Sequence, residues 1–168
     1  MVVIKKLVAK GFKSFAYKNE LVFGKGFNCI LGPNGAGKSN VVDSLCFVLG
    51  KSSAKEMRAE KSANLIYHGN KKNSPAKEAE VTIVFDNSTK KFPTDKNEVS
   101  ITRIVRRNGT SIYKIGDDAM TRQQVLDFLN AARVDPDGHN IILQGDIIGF
   151  TEMKTDERRR VIEEISGI

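Results

Sequence analysis

The fold of this chain is decided by the stretch Gly32-Pro33-Asn34-Gly35-Ala36-Gly37-Lys38-Ser39. It fits the pattern of a glycine, any four residues, and then Gly-Lys-Ser, which forms a phosphate-binding loop in front of a helix. Glycines permit the backbone angles that turn consecutive N–H groups inward around phosphate oxygens. In such a loop Lys38 reaches the β- and γ-phosphates, and the Ser39 hydroxyl binds magnesium. The stretch therefore predicts a phosphate site that also holds Mg²⁺.

The sequence on both sides of this loop supports that prediction. Phe27–Leu31 is a short apolar run, which we expect to form a largely buried strand. Ser39–Leu49 is an apolar stretch expected to form a helix that ends at Gly50. The positive end of that helix would point at the phosphates. Cys29 and Cys46 fall in these two runs, and we expect both to be buried small apolar side chains.

Most of the remaining chain is predicted to be β-structure. Alternation of apolar and polar residues predicts strands over Val2–Ala9, Glu20–Phe23, Glu80–Asp86, Glu98–Arg107 and Thr110–Ile115. Asn108-Gly109 is a hairpin signal between the last two of them. Residues 51–78 are polar and predict a long loop with a short helical patch at Ala54–Ala59.

The last third of the chain is predicted to be mainly helical. Thr121 and Gln124 form a capping box, which predicts a helix running to about Arg133. A turn at Asp135–Gly138, a short strand at Ile141–Leu143 and a charged helix from about Thr155 complete the predicted elements.

Composition limits the possible functions. The chain has 168 residues, enough for one domain, and no apolar run approaches the roughly 20 residues needed to span a bilayer. We therefore expect a cytoplasmic protein without a membrane partner. The net charge of +7 favours a polyanionic partner such as DNA, and a solvated basic surface explains it equally well.

Seven stretches of this sequence resemble the SMC (structural maintenance of chromosomes) ATPases, archaeal and bacterial condensin-type members above all. They are Leu7–Phe15, the phosphate loop, Asn40–Gly50, Ser53–Ala59, Asn64–Tyr67, Asn140–Asp146 and the terminal segment with Glu157–Arg159 and Ile165–Ile168. They occur in the family's order and cover nearly the whole chain.

The resemblance implies an α/β fold, the N-terminal half of an ABC-type P-loop ATPase head with an antiparallel β-lobe. It divides the chain into a P-loop core (1–50), a loop and β-lobe (51–115), a helix and Q-loop (116–150) and the start of a coiled-coil arm (151–168).

The resemblance also implies the residues of an ATP–Mg²⁺ site. Lys38 and Gln144 are the expected catalytic residues, with Gln144 completing the magnesium shell beside Ser39 and orienting the attacking water. Arg58 is expected to sense DNA or phosphate, although an exposed loop arginine is a plain alternative. The expected nucleotide contacts are Lys13, Ser14, Gly32, Asn34, Gly35, Ala36, Gly37, Lys38, Ser39, Asn40, Tyr67 and Gln144.

Two further features have competing interpretations. Ile83-Val84-Phe85-Asp86 imitates a Walker B strand, but Asn87-Ser88 follows it instead of a catalytic Glu, and its alternation suits an antiparallel strand. We therefore interpret Asp86 as a residue that starts a turn. Arg158-Arg159-Arg160 either contacts DNA or forms a solvated helix face that pairs with Glu157 or Glu163.

No signature Leu-Ser-Gly-Gly run and no Walker B Asp-Glu pair follow Gln144 in this sequence. The resemblance implies that these motifs belong to a C-terminal half of the head. We therefore expect this chain to be one half of a head, with little ATP turnover of its own. The implied partners are that C-terminal half, a second SMC head in a homodimer, DNA, and kleisin-type and accessory subunits. The implied function is ATP-driven chromosome condensation and segregation in the nucleoid. The alternatives are a related coiled-coil ATPase that repairs DNA ends, a small P-loop kinase for a nucleoside or nucleotide, and a DNA-binding module that uses ATP only to assemble.

Overall fold

A computed structural model describes residues 2–50, 62–134 and 153–166 of the chain. The chain divides into two compact units, Met1–Val134 and Asp135–Ile168. The predicted patch at Ala54–Ala59, the turn at Asp135–Gly138 and the strand at Ile141–Leu143 lie outside the described residues. The four-part division of the chain into core, lobe, Q-loop and arm stays a prediction.

The first unit is built on one antiparallel sheet of six strands, in the order β2-β1-β3-β4-β5-β6. The strands are β1 Val3–Lys10, β2 Asn19–Val22, β3 Glu78–Asp86, β4 Glu98–Arg106, β5 Ser111–Ile115 and β6 Asp118–Met120. Each strand runs antiparallel to its neighbours. The five strands that the alternation predicts are confirmed to within a few residues. The three-residue strand β6 has no alternation long enough to predict it.

The residues that the structure describes form three α-helices, two in the first unit and one in the second. They are α1 Lys38–Val48, α2 Arg122–Ala131 and, in the second unit, α3 Thr155–Ser166, and one 3-10 turn spans Ser62–Leu65. The capping box of α2 is confirmed: the Thr121 hydroxyl accepts from the Gln124 N–H, and the Gln124 side chain accepts from the Thr121 N–H. No helix among these residues is long and apolar enough to cross a membrane.

The core of the first unit lies between one face of the sheet and helix α1. Alternate residues of β3 and β4 point to that face, so Val81, Ile83 and Ile101 are fully buried. Helix α1 contributes Phe47 and Val48, which are also fully buried. The sheet therefore supports the helix that follows the phosphate loop along its apolar side.

The hairpin between β4 and β5 forms where the sequence predicts it. Gly109 has φ 85, a left-handed angle that glycine adopts without strain, and its N–H donates to the Arg106 carbonyl. Val105 then pairs with Ser111. The Asn108-Gly109 signal therefore sets the register of the two strands.

The predicted buried strand at Phe27–Leu31 is wrong. These residues belong to no strand, and Phe27 is 94% and Leu31 is 85% exposed. A strand requires a hydrogen-bonded neighbour, and within the described ranges no strand pairs with this segment. Cys29 is exposed for the same reason, which corrects the expectation that it is buried, whereas Cys46 on α1 is buried as expected.

Helix α3 belongs to the second unit and is described by itself. Asp156 and Glu157 lie in its first turn, where carboxylates complement the positive end of a helix. The Arg159 Nε donates to Glu163 Oε1 at 2.7 Å, an i to i+4 ion pair. Arg159 and Glu163 therefore form the solvated pairing that was one of the two interpretations of the arginine run.

Candidate nucleotide-binding site

The phosphate loop leads directly into helix α1. Gly35 and Gly37 have φ angles of 82 and 90, which the pattern requires of glycines in such a loop. The Ala36 N–H donates to the Pro33 carbonyl, and the Asn40 N–H donates to the Gly37 carbonyl at 2.9 Å. No side chain caps the N-terminus of α1, so the helix begins on the backbone of Gly37 alone. The geometry gives the helix an N-terminal end of the type that binds anions.

The Lys38 ammonium lies over this loop. Its Nζ donates to the carbonyl oxygens of Gly32 at 2.6 Å and Pro33 at 2.8 Å. Ser39, the next residue, is exposed at the start of the helix. The predicted cation and the predicted magnesium ligand therefore stand at the same end of α1.

The turn after β1 packs against the phosphate loop. Lys13 has φ 46, an unusual angle for a residue with a side chain, and the Lys13 N–H donates to the Leu65 carbonyl at 2.7 Å. The Ser14 Oγ accepts from the Asn40 Nδ2 at 2.8 Å. A Cβ on Gly37 would lie 3.0 Å from that Oγ, so the turn touches the loop closely. The structure brings together Lys13, Ser14 and Asn40, as the resemblance implies.

Asp43 is a residue of this region that the sequence did not single out. The Lys13 Nζ contacts the Asp43 Oδ2 at 2.5 Å, and the two side chains are only 13% and 5% exposed. Asn40 and Asp43 lie one turn apart on α1 and hold Ser14 and Lys13 respectively. The available signal was a carboxylate inside the apolar stretch of the predicted helix, where an acid needs a partner.

Tyr67 lies beside the same turn through its backbone. Its N–H donates to the Gly11 carbonyl at 2.8 Å, and its carbonyl accepts from the Ala76 N–H at 3.0 Å. The side chain is 9% exposed. The strand-like pairing of Phe12 with Ile66 holds the two segments together. The predicted contact of Tyr67 with a nucleotide stays a prediction, and Arg58 and Gln144 lie outside the described residues.

A shallow cavity of about 220 Å³ opens next to the phosphate loop. Its lining includes Phe15, Glu20, Ile30, Leu31 and Lys38. The apolar segment before the loop therefore forms part of an open, partly apolar surface beside the predicted phosphate site.

The surroundings of Asp86 do not match those of a Walker B acid. Its strand β3 runs antiparallel between β1 and β4, which confirms the sequence interpretation. The Asp86 Oδ1 accepts from the Ser88 N–H at 2.8 Å, the start of a turn. That hydrogen bond, followed by the Ser88 side chain, holds the pKa of Asp86 below its usual range, and Lys5 and Lys25 add to the effect.

The Asp86→Asn variant is therefore expected to leave unchanged the ATP turnover that the resemblance implies. The carboxamide keeps the oxygen that accepts from Ser88, so the turn persists. Steady-state phosphate release is the measurement. A loss of about 100-fold, the size expected when a group that stabilises developing charge is removed, would instead make Asp86 part of the active site.

Comparison with known proteins assigns the family. Residues 3–143 match the family described as RecF/RecN/SMC N terminal domain. A relative from Pyrococcus furiosus, the chromosome partition protein Smc, is 50% identical over 169 residues, covering 100% of this chain and 14% of that protein. The chain belongs to the SMC family. It spans about 14% of the length of the curated SMC relatives that it matches.

Solved SMC structures have the same fold. One, described as structural biochemistry of ATP-driven dimerization and DNA stimulated activation of SMC ATPases, superposes with a TM-score of 0.89 at 49% identity and covers 96% of this chain and 98% of that chain. Another is the Pyrococcus furiosus Smc head with an extended coiled coil bound to the C-terminal domain of ScpA, with a TM-score of 0.92, 49% identity, and coverage of 99% and 42%. The antiparallel sheet and helices are thus the N-terminal lobe of an SMC ATPase head, and the kinase alternative is excluded.

Proposed function

We propose that this chain binds ATP with Mg²⁺ as the N-terminal half of an SMC head, and that ATP-driven head engagement and hydrolysis act on DNA in chromosome condensation and segregation. The observation that carries the proposal is the phosphate loop at the start of α1 with the Lys13-Ser14 turn packed against it. A glycine-rich loop, a helix N-terminus and the Lys38 ammonium meet there, which suits a polyphosphate.

The proposed roles of Lys38 and Ser39 are supported by where these residues lie, and the proposed role of Gln144 rests on the family resemblance. Lys38 exchanges its hydrogen bonds to the Gly32 and Pro33 carbonyls for the β- and γ-phosphate oxygens. The exposed Ser39 hydroxyl is a hard oxygen donor, and Mg²⁺ prefers few protein ligands together with phosphate oxygens and water. Gln144 supplies the second protein oxygen and orients the attacking water. When bound, the metal neutralises charge that develops on the transferred phosphoryl group.

The proposed phosphate contacts extend over the whole loop and the turn beside it. Backbone N–H groups of the loop and the Ser14 and Asn40 side chains, already hydrogen-bonded to each other, line one side. Arg58 is proposed as the sensor of phosphate or DNA, and Tyr67 as a contact of the nucleotide. The remaining members of the proposed site are Lys13, Gly32, Asn34, Gly35, Ala36 and Gly37.

The first proposed partner is the C-terminal half of the same head. Phe27, Ile30 and Leu31 present apolar surface next to the phosphate loop, and Val22 on the edge strand β2 is 75% exposed. Such a patch marks a surface that another segment covers. In the complete head that segment would supply the Walker B acids, so this chain alone is proposed to hydrolyse little or no ATP.

The other proposed partners follow from the relatives. An SMC structure is described by ATP-driven dimerization and DNA-stimulated activation, and another by binding of ScpA. We therefore propose a second copy of the head, DNA and a kleisin-type subunit with accessory subunits as partners, and the nucleoid in the cytoplasm as the location. The net charge of +7 is compatible with the DNA partner, because Lys and Arg side chains that neutralise DNA phosphates release the counterions condensed on them.

Magnesium-dependent ATP binding by this chain tests the proposal. Isothermal titration calorimetry is expected to show weak binding of ATP that strengthens with Mg²⁺, and Ser39→Ala is expected to remove most of that magnesium effect. Ser88→Ala, at the far end of β3, is the matched control and is expected to bind like the unchanged chain. ATP binding that ignores both Mg²⁺ and the Ser39 change would contradict the proposed site.

A further inference from the structure

The C-terminal end of helix α1 is held by two arginines from other elements. The Arg103 Nη1 on β4 donates to the Phe47 carbonyl at 2.9 Å, and the Arg122 Nε at the start of α2 donates to the Gly50 carbonyl at 2.8 Å. Helix α1 itself has no basic residue in its last turn. Cations at this end complement the helix dipole. The Phe47 carbonyl also accepts from the Gly50 N–H at 3.2 Å, so Arg103 adds a second donor to it. The end opposite the phosphate loop is thus fixed by charge-assisted hydrogen bonds.

Arg103 occupies a position where the sheet otherwise uses apolar residues. It points to the core side of β4 with Val99, Ile101 and Val105, and it is 6% exposed. An apolar residue of similar length would satisfy the fold without the burden of burying a charge. Burial lowers the pKa of Arg103, Tyr113 opposes the shift, and Arg122 adds to it. Stability of the sheet alone therefore gives no reason for a guanidinium at this position.

Two aromatic rings fix the orientation of this guanidinium. Its central carbon lies 4.4 Å from the centre of the Phe47 ring and 4.9 Å from the centre of the Tyr113 ring. Stacking of this kind favours the planar, delocalised cation of arginine over lysine. Phe47 is thereby held at its carbonyl and at its ring by the same side chain.

Phe47 also connects this contact to the turn beside the phosphate loop. Its ring packs on the Phe12 ring at a centroid distance of 5.2 Å, and Phe12 immediately precedes Lys13. Helix α1 is a rigid rod of about 14 Å from Phe47 to Lys38, so an axial shift at one end moves the other. The position of Phe47 therefore affects both parts of the proposed phosphate site. It affects the loop through helix α1 and the Lys13-Ser14 turn through Phe12.

We propose that Arg103 is a positioning residue: with Arg122 it sets the axial position of α1 from the sheet side, and so places Lys38 and Ser39 for the phosphates. The inference rests on the proposed function, because it assigns the support of that same site. Lys38 and Ser39 lie at the N-terminal end of α1, opposite the end that the two arginines hold. Small displacements of such groups have large effects on catalysis.

The test compares Arg103→Met, Arg122→Gln and Arg106→Met, measured in the chain bound to the C-terminal segment of its own gene. Arg103→Met is expected to weaken ATP binding about tenfold with the fold retained, since a 1 Å misplacement costs up to about 100-fold. Arg122→Gln, which removes a half-exposed partner, is expected to weaken it about threefold. Arg106→Met, three residues along the same strand and exposed, is expected to bind like the unchanged protein.

A stability control separates positioning from general loss of structure. Phe92→Leu thins the aromatic cluster of Phe92 with Phe85 and Phe128 and is expected to lower the melting temperature while leaving ATP affinity unchanged below it. Unchanged ATP affinity in folded Arg103→Met protein, or equal affinity losses in Arg103→Met and Phe92→Leu, would overturn the inference. Absence of ATP binding in the unchanged protein would instead overturn the proposed function.

Discussion

Mixing this chain with the C-terminal segment of its own gene is expected to create ATP turnover that neither piece shows alone, and Lys38→Ala is expected to abolish it. The described part of this chain supplies a phosphate loop. Strand β3 resembles a Walker B strand in sequence, but it ends in a turn at Asp86. We therefore expect hydrolysis to require acids from the other half of the head. Phosphoryl transfer depends on positioning and on charge stabilisation. Removing the Lys38 ammonium should lower turnover of the mixture at least about 100-fold.

Steady-state phosphate release from the chain, the segment and their mixture is the measurement. Lys25→Ala is the matched control, because Lys25 is an exposed lysine in the turn before Phe27–Leu31, the apolar segment that precedes the phosphate loop. It is expected to leave turnover unchanged. Robust turnover by this chain alone would contradict the composite site and would return Asp86 to consideration as a magnesium ligand.

The sequence predicted the parts of the fold that depend on local chemistry. Asn108-Gly109 requires a left-handed glycine, and Thr121 with Gln124 closes a capping box, so both features formed where the residues stand. The phosphate loop is equally local, since its glycines adopt the angles that the pattern demands. The antiparallel pairing of β3 was also predictable, because its alternation marks a sheet with two different faces.

The parts that the sequence could not predict depend on residues far apart in the chain. The Lys13–Asp43 contact joins positions 30 residues apart, and Arg103 reaches Phe47 across 56. No local pattern reports such pairs, although an acid in an apolar helix and a cation in an apolar strand each indicated that a partner exists. The prediction of a buried strand at Phe27–Leu31 was wrong for a related reason. Its apolar composition indicates a buried strand, but burial and hydrogen-bond pairing require a neighbouring segment.

The exposure of that segment leads to the second large expected effect. Leu31→Asp is expected to weaken association of this chain with its C-terminal segment at least about 100-fold. Burying a leucine contributes about 1.5–3 kcal/mol, and every 1.4 kcal/mol changes an affinity about tenfold. The aspartate loses that contribution and adds a charge that has to be desolvated in the interface. Leu31 is 85% exposed in this chain, so the change should leave the chain folded by itself.

Titration calorimetry of the two pieces gives the affinity, and thermal unfolding of the variant alone shows whether the fold persists. Ile112→Asp is the matched control, since Ile112 is half-buried on β5, whereas Leu31 lies beside the edge strand β2. It is expected to associate like the unchanged chain. If Leu31→Asp associates normally, the C-terminal half does not cover the segment. If both variants fail equally, the loss reflects general damage to the sheet, which also contradicts a specific role for Leu31. A selective loss with Leu31→Asp means that the apolar run before the phosphate loop is buried only when the two halves of the head meet.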